Sequence, residues 1–80
     1  MLTLKVISPE KIVFTGEVES VTVPGTLGEF EVLDGHAPLI SSLEKGMVAY
    51  KPVQGERARL AIRGGFVEVQ KNQISLCVEL

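Results

Sequence analysis

Tryptophan is absent from this chain, and cysteine, histidine and tyrosine occur once each, as Cys77, His36 and Tyr50. A lone cysteine cannot close an intramolecular disulfide, and Cys77 with His36 falls short of a four-ligand zinc site. A reducing compartment suits such a chain. An excess of one charge is missing as well. Eight Lys and Arg stand against ten Asp and Glu, the net charge is −2, and no run of like charges exceeds two residues. Nucleic-acid binding leaves a basic footprint, so no nucleic-acid partner is expected. The opening MLTLKVISPEK lacks the basic-then-apolar order of a signal peptide, and no segment approaches the roughly 20 apolar residues of a membrane-spanning helix. The chain is therefore expected to be soluble and to meet a membrane only as part of a complex. GxxxxGK[ST] and GxGxxG are absent too, so its glycines carry no nucleotide-binding fingerprint.

What the chain does have is apolar residues at a period close to two. Eighty residues, 45% hydrophobic and 22% charged, suit one small domain over residues 1–80 with a single core. A chain of this length buries roughly 60% of its unfolded surface, so its stability is modest and a partner would raise it. Leu2, Leu4 and Val6 alternate with Thr3 and Lys5, and Ser8-Pro9-Glu10-Lys11 turns the chain before Ile12-Val13-Phe14. Over residues 17–23 the phase changes, with Val18 on one face and Val21 and Val23 on the other, which predicts a β-bulge. Phe30 and Val32 alternate with Glu29 and Glu31, and residues 47–51 and 57–63 pair around Pro52-Val53-Gln54-Gly55-Glu56. Gly64-Gly65 is either a tight hairpin or a bend between two sheets. After residues 66–70 and a Lys71-Asn72-Gln73 turn, Ile74, Leu76, Val78 and Leu80 share one face of a last strand, opposite Ser75, Cys77 and Glu79. The spacing predicts an all-β fold: a flattened antiparallel β-sandwich of about eight to ten short strands. Ser41-Ser42-Leu43-Glu44 has capping-box spacing, but Gly46 follows at once and no helix is expected.

Residues 23–46, VPGTLGEFEVLDGHAPLISSLEKG, concentrate the turn formers and the one histidine. Gly25, Gly28 and Gly35 reach positive φ cheaply, and Pro24 and Pro38 fix φ near −65°, so the run predicts a shaped surface loop. A catalytic reading would make His36 a base oriented by Asp34, with Ser41 or Ser42 as nucleophile. The alternative is a histidine that fixes its loop by bonding backbone, and no nucleophile elbow accompanies it. Glu29 and Glu31, two apart on a strand, point the same way, and such a pair can serve glycoside hydrolysis or a hard metal. More simply, they face water or a basic partner. Cys77 reads as an inert thiol. Apolar residues at consecutive positions, as in Val6-Ile7, Ile12-Val13-Phe14 and Phe66-Val67, exceed what one core face needs. That surplus is either an interface or covered by the rims of the sheets.

The order of these residues resembles the amino-terminal domain of the epsilon subunit of F-type ATP synthases. Leu4-Lys5-Val6-Ile7-Ser8-Pro9-Glu10 with Phe14, Gly16, Val18 and Val21 is similar to the family's first hairpin. Gly35-His36-Ala37-Pro38-Leu39-Ile40 is its most diagnostic string, and Gly64-Gly65-Phe66-Val67-Glu68-Val69 with Asn72 is similar to its last hairpin. The resemblance implies a non-catalytic rotor subunit of the central stalk, docked on the gamma subunit and on the polar loops of the c-subunit ring. It places Gly28, Glu29, Phe30 and His36 toward the ring and Ser8 toward gamma. Glu31 stands where the family usually has glycine after the aromatic residue, and adds a negative charge at the ring contact. The implied location is peripheral, on the cytoplasmic face of a bacterial inner membrane or the stromal face of a thylakoid. No cofactor, metal or ATP site is expected. Longer members continue into a carboxy-terminal helical hairpin, whereas this sequence stops at Leu80, so a naturally short subunit without inhibition or ATP sensing is expected. The competing reading is a free-standing β-module that binds a peptide or sugar through the glycine-rich loop.

Overall fold

Alternation at period two yields eight strands in the computed structural model, which describes residues 1–80: β1 (Leu2–Ile7), β2 (Ile12–Gly25), β3 (Gly28–Val32), β4 (Leu39–Leu43), β5 (Gly46–Pro52), β6 (Ala58–Ile62), β7 (Gly64–Gln70) and β8 (Gln73–Glu79). No helix forms, and Ser41–Leu43 belongs to β4 rather than to a capping box. β2 runs unbroken for 14 residues, through both Ile12-Val13-Phe14 and residues 17–23. Its first half pairs with β1, from Leu2↔Val18 to Ile7↔Ile12. Its second half lies between β3 and β5.

The predicted phase change sits where these halves meet, because the register against β5 slips by one residue between Val18 and Ser20. The extra residue reverses side-chain parity, so Val18, Val21 and Val23 are all buried although Val18 would face away from the other two on a regular strand. β2 thereby leaves one layer and enters the other without losing its apolar contacts. One layer holds the first half of β2 with β1, β8, β7 and β4, and the other holds β3, the second half of β2, β5 and β6. A Gly25↔Leu43 bridge joins them again at the far end.

All pairings are antiparallel except β1 with β8, which run parallel from Thr3↔Gln73 to Ile7↔Cys77. No hairpin connects these two strands, so no turn imposes an antiparallel arrangement, and β8 takes the edge of β1 that β2 leaves free. Between the layers sixteen buried apolar side chains form one cluster, which is the single core expected from length. Leu4, Val6, Val21, Val23 and Leu76 are wholly inaccessible. Leu80, expected inward, is half exposed because β8 ends at Glu79.

Gly64-Gly65 forms a bend. β6 pairs with β5 while β7 pairs with β4 and β8, so the chain changes layer between Ile62 and Gly64. The last hairpin closes in two residues, Lys71 and Asn72, between Gln70 and Gln73. Both take positive φ, 49° and 62°, as a type I′ turn requires.

Candidate functional site

The glycine-rich run builds one end of the molecule. Gly25 faces Gly28 across a two-residue turn, and Leu27 at its tip is fully exposed. A side chain at Gly25 would lie 2.8 Å from the Gly28 carbonyl and 2.8 Å from the Phe30 ring, so the bare backbone lets Phe30 fold over it. Phe30 is half-buried against the core, and its ring centroid lies 6.4 Å from that of His36.

After β3 the chain reverses at Leu33-Asp34-Gly35-His36, where the His36 amide donates to the Leu33 carbonyl at 3.1 Å. Gly35 takes φ 82°, the value a type II turn needs at its third position. The His36 Nδ1 lies 2.7 Å from the Ala37 carbonyl oxygen; that oxygen can only accept, so Nδ1 carries the proton. Ser41 Oγ donates to the Ser42 carbonyl at 3.1 Å. His36 and Ser41, two of the groups named in the catalytic reading, are thus engaged with backbone, Asp34 lies against the Met1 amine, and the His36 ring bonds within its own loop. Glu29 and Glu31 are exposed, and no cluster of three potential metal-ligating side chains includes them.

Gly28, Glu29, Phe30 and His36, the residues singled out from sequence, come together with Leu27, Leu39, Ile40 and Ser41 around a shallow depression of about 440 Å³. Glu31 lies outside it, two residues further along the same face of β3. Glu29 thus puts one carboxylate on the depression, and Glu31 puts a second on the same face of β3.

The second feature was legible in the sequence as an apolar surplus at Ile7, Ile12 and Phe66, but not as a row. On the outer face of the five-strand layer, register aligns Ile12, Ile7, Cys77, Phe66 and Ser42 in one row across β2, β1, β8, β7 and β4. Ile12 is 62% exposed and Phe66 50%, while Ile7 and Cys77 are half-buried between them. The adjacent row, Thr15, Lys5, Ser75 and Glu68, is polar across β2, β1, β8 and β7 and ends on β4 at Ile40, which is exposed. The apolar surplus noted in the sequence is therefore divided: Val6 and Val67 enter the core, Val13 and Phe14 pack partly against it, and Ile7, Ile12 and Phe66 face out.

Ser8 stands at the rim of this row. With Ile7, Pro9, Phe66 and Cys77 it borders a depression of about 370 Å³. Its amide donates to the Lys11 carbonyl at 2.9 Å, and its Oγ accepts from the Lys11 amide at 3.3 Å, which closes the β1–β2 turn. The row lies at this end of the layer, and the His36 loop lies at the other, beside the β7–β8 turn. From Phe66 to Gln70 along β7 the separation is roughly 13 Å at 3.3 Å per residue.

The family model described as ATP synthase, Delta/Epsilon chain, beta-sandwich domain matches residues 1–80. The ATP synthase epsilon chain of Leptospira interrogans is 44% identical over 79 residues, covering 98% of this chain and 61% of its own. The ATP synthase epsilon chain of Desulfitobacterium hafniense is 46% identical over 77 residues, covering 96% and 58%. The chain thus spans roughly three fifths of the length of these curated relatives. Among solved structures, a chain of the Euglena gracilis mitochondrial ATP synthase superposes with a TM-score of 0.88 at 23% identity, covering 96% of this chain and 49% of that one. A chain of the Tetrahymena thermophila mitochondrial ATP synthase, solved as its central stalk and c-ring, gives 0.82 at 16% identity, covering 99% and 63%. At these identities the structural likeness establishes the fold, and the sequence matches establish the kinship. The chain belongs to the ATP synthase delta/epsilon β-sandwich domain family.

Proposed function

We propose that this chain acts as a non-catalytic rotor subunit in the central stalk of an F-type ATP synthase, clamping the gamma subunit to the c-subunit ring. The observation that carries the reading is the presence of two chemically different surfaces at two places on one stiff sandwich. The apolar row through Ile7, Cys77 and Phe66, with Ser8 at its rim, is suited to gamma, since a band of exposed apolar side chains beside polar rows is what an interface centre looks like. The acidic, glycine-shaped end at Gly28, Glu29, Phe30, Glu31 and His36 is suited to polar, basic ring loops. Torque needs such a pair of attachments joined by a body that does not bend, and a single core tied through continuous strands provides it. The subunit would sit peripherally, on the cytoplasmic face of a bacterial inner membrane or the stromal face of a thylakoid, held there through the complex. No step in this role needs a cofactor or bound ATP.

Glu29→Lys separates the two surfaces. Binding to purified gamma should be unchanged, and binding to a gamma and c-ring subcomplex should weaken about 3- to 10-fold, the scale of reversing one exposed charge at an interface rim. Equal affinities for the subcomplex before and after the substitution would remove the ring from this surface.

A further inference from the structure

We propose that Asn72, in the β7–β8 turn, is the positioning residue that holds the β3–β4 loop in its docking geometry; this rests on the reading that the loop faces the ring. Three observations meet at this residue. Its φ of 62° is one that asparagine and glycine adopt most readily, and for the turn alone glycine would serve better. Its side chain reaches across 37 positions of sequence, where Oδ1 accepts from the Gly35 amide at 2.9 Å. Its own carbonyl accepts from the Thr3 amide at 2.9 Å, so the same residue is anchored to β1.

The loop's other hydrogen bonds are internal. The His36 amide bonds to Leu33, and the His36 ring to Ala37. These give residues 33–38 a shape without fixing where that shape sits on the body. The remaining ties are the Phe30 ring, whose centroid lies 6.4 Å from that of His36 and which sets no hydrogen-bond direction, and the Asp34 carboxylate, 3.3 Å from the Met1 amine, where both groups are more than half exposed and solvent leaves little strength. Asn72 thus supplies the directional contact between the ring-facing end and the layer that carries the apolar row. A loop held in place before docking loses less freedom when it docks.

Asn72→Gly removes the acceptor while keeping, and easing, the positive φ of the turn. Asn72→Asp keeps an acceptor at a residue that tolerates the same backbone. In the isolated chain, Gly35 amide hydrogen exchange should be roughly 3- to 10-fold faster in Asn72→Gly and near the parent rate in Asn72→Asp, with the melting temperature of neither lowered by more than a few degrees. Affinity for the gamma and c-ring subcomplex should fall several-fold in Asn72→Gly only, and affinity for gamma alone should not change. Unchanged Gly35 exchange in Asn72→Gly would overturn the proposal. So would faster exchange with undiminished subcomplex binding, provided Glu29→Lys weakens that binding. If neither Asn72→Gly nor Glu29→Lys weakens it, the ring-facing reading itself fails and takes the proposal with it.

Discussion

Gly65→Ala is expected to destabilise this chain by about 3 kcal/mol or more, while Gly64→Ala, one residue away, changes stability by about 1 kcal/mol or less. Gly65 is the second residue of β7, in the middle of its layer, opposite Leu43 on β4 and Val78 on β8. Its φ of 148° is one that side-chain-bearing residues rarely adopt. A methyl group there would be driven onto the Cys77 carbonyl oxygen and would lie 2.9 Å from the Val78 Cα. Those neighbours are paired backbone, which cannot rotate aside as a side chain can, so β7 and β8 must separate. Strain and lost pairing together cost about 3 kcal/mol or more. At ~0.05–0.15 kcal/mol per residue, a domain of this length has only about 4–12 kcal/mol to lose. At Gly64 the nearest atom to an added methyl is the Leu43 carbonyl oxygen at 3.5 Å, ordinary contact, and no unusual φ is required. Urea titrations of the two variants followed by circular dichroism check this directly, and coincident midpoints would refute it.

Phe66→Asp carries the second large effect, on binding rather than folding. Phe66 is half exposed, and its neighbours across the strands are Ser42 and Cys77. Replacement at such a position should cost the isolated fold no more than about 1 kcal/mol. In the proposed complex the same side chain is the one aromatic member of the apolar row. Truncating an aromatic anchor typically costs about 2 kcal/mol or more, and a carboxylate left facing an apolar partner adds to that, so gamma affinity should drop about 100-fold or further. Thr15→Asp, on the adjacent polar row opposite Lys5, introduces the same charge on the same face and should leave gamma affinity within about threefold. Equal losses in both variants would mean that the face repels charge in general and that the row is no anchor.

Local parity carried most of the fold into the sequence. Leu2, Leu4 and Val6 against Thr3 and Lys5, or Ile74, Leu76 and Val78 against Ser75 and Glu79, state which side each residue faces without reference to the rest of the chain. The phase error between Val18 and Val21 marked the bulge for the same reason. Glycines and prolines in residues 23–46 marked a shaped loop, and the ordered strings there carried the resemblance that the family match bears out. Relations between distant strands were not legible. The parallel β1–β8 pairing depends on which edge remains free once β2 is in place, and nothing within either strand encodes it. The row through Ile12, Ile7, Cys77 and Phe66 exists only because of that register, so each member reads singly as a stray exposed residue. Gly64-Gly65 stayed ambiguous because a bend and a hairpin use the same residues, and the choice is made by the partners of β6 and β7. The bond from Asn72 to Gly35 gave no signal at all, since an asparagine in a tight turn is already explained by its backbone.

Cys77 supplies the most direct measurement of the central claim, because the chain's one thiol lies between Ile7 and Phe66 in the row assigned to gamma. Its alkylation rate, followed by mass spectrometry of the Cys77 peptide, would be compared for the free chain, the chain saturated with gamma, and the gamma and c-ring subcomplex. The account predicts strong slowing on adding gamma and little further change on adding the ring, which touches the other end. An alkylation rate unaffected by saturating gamma would contradict it.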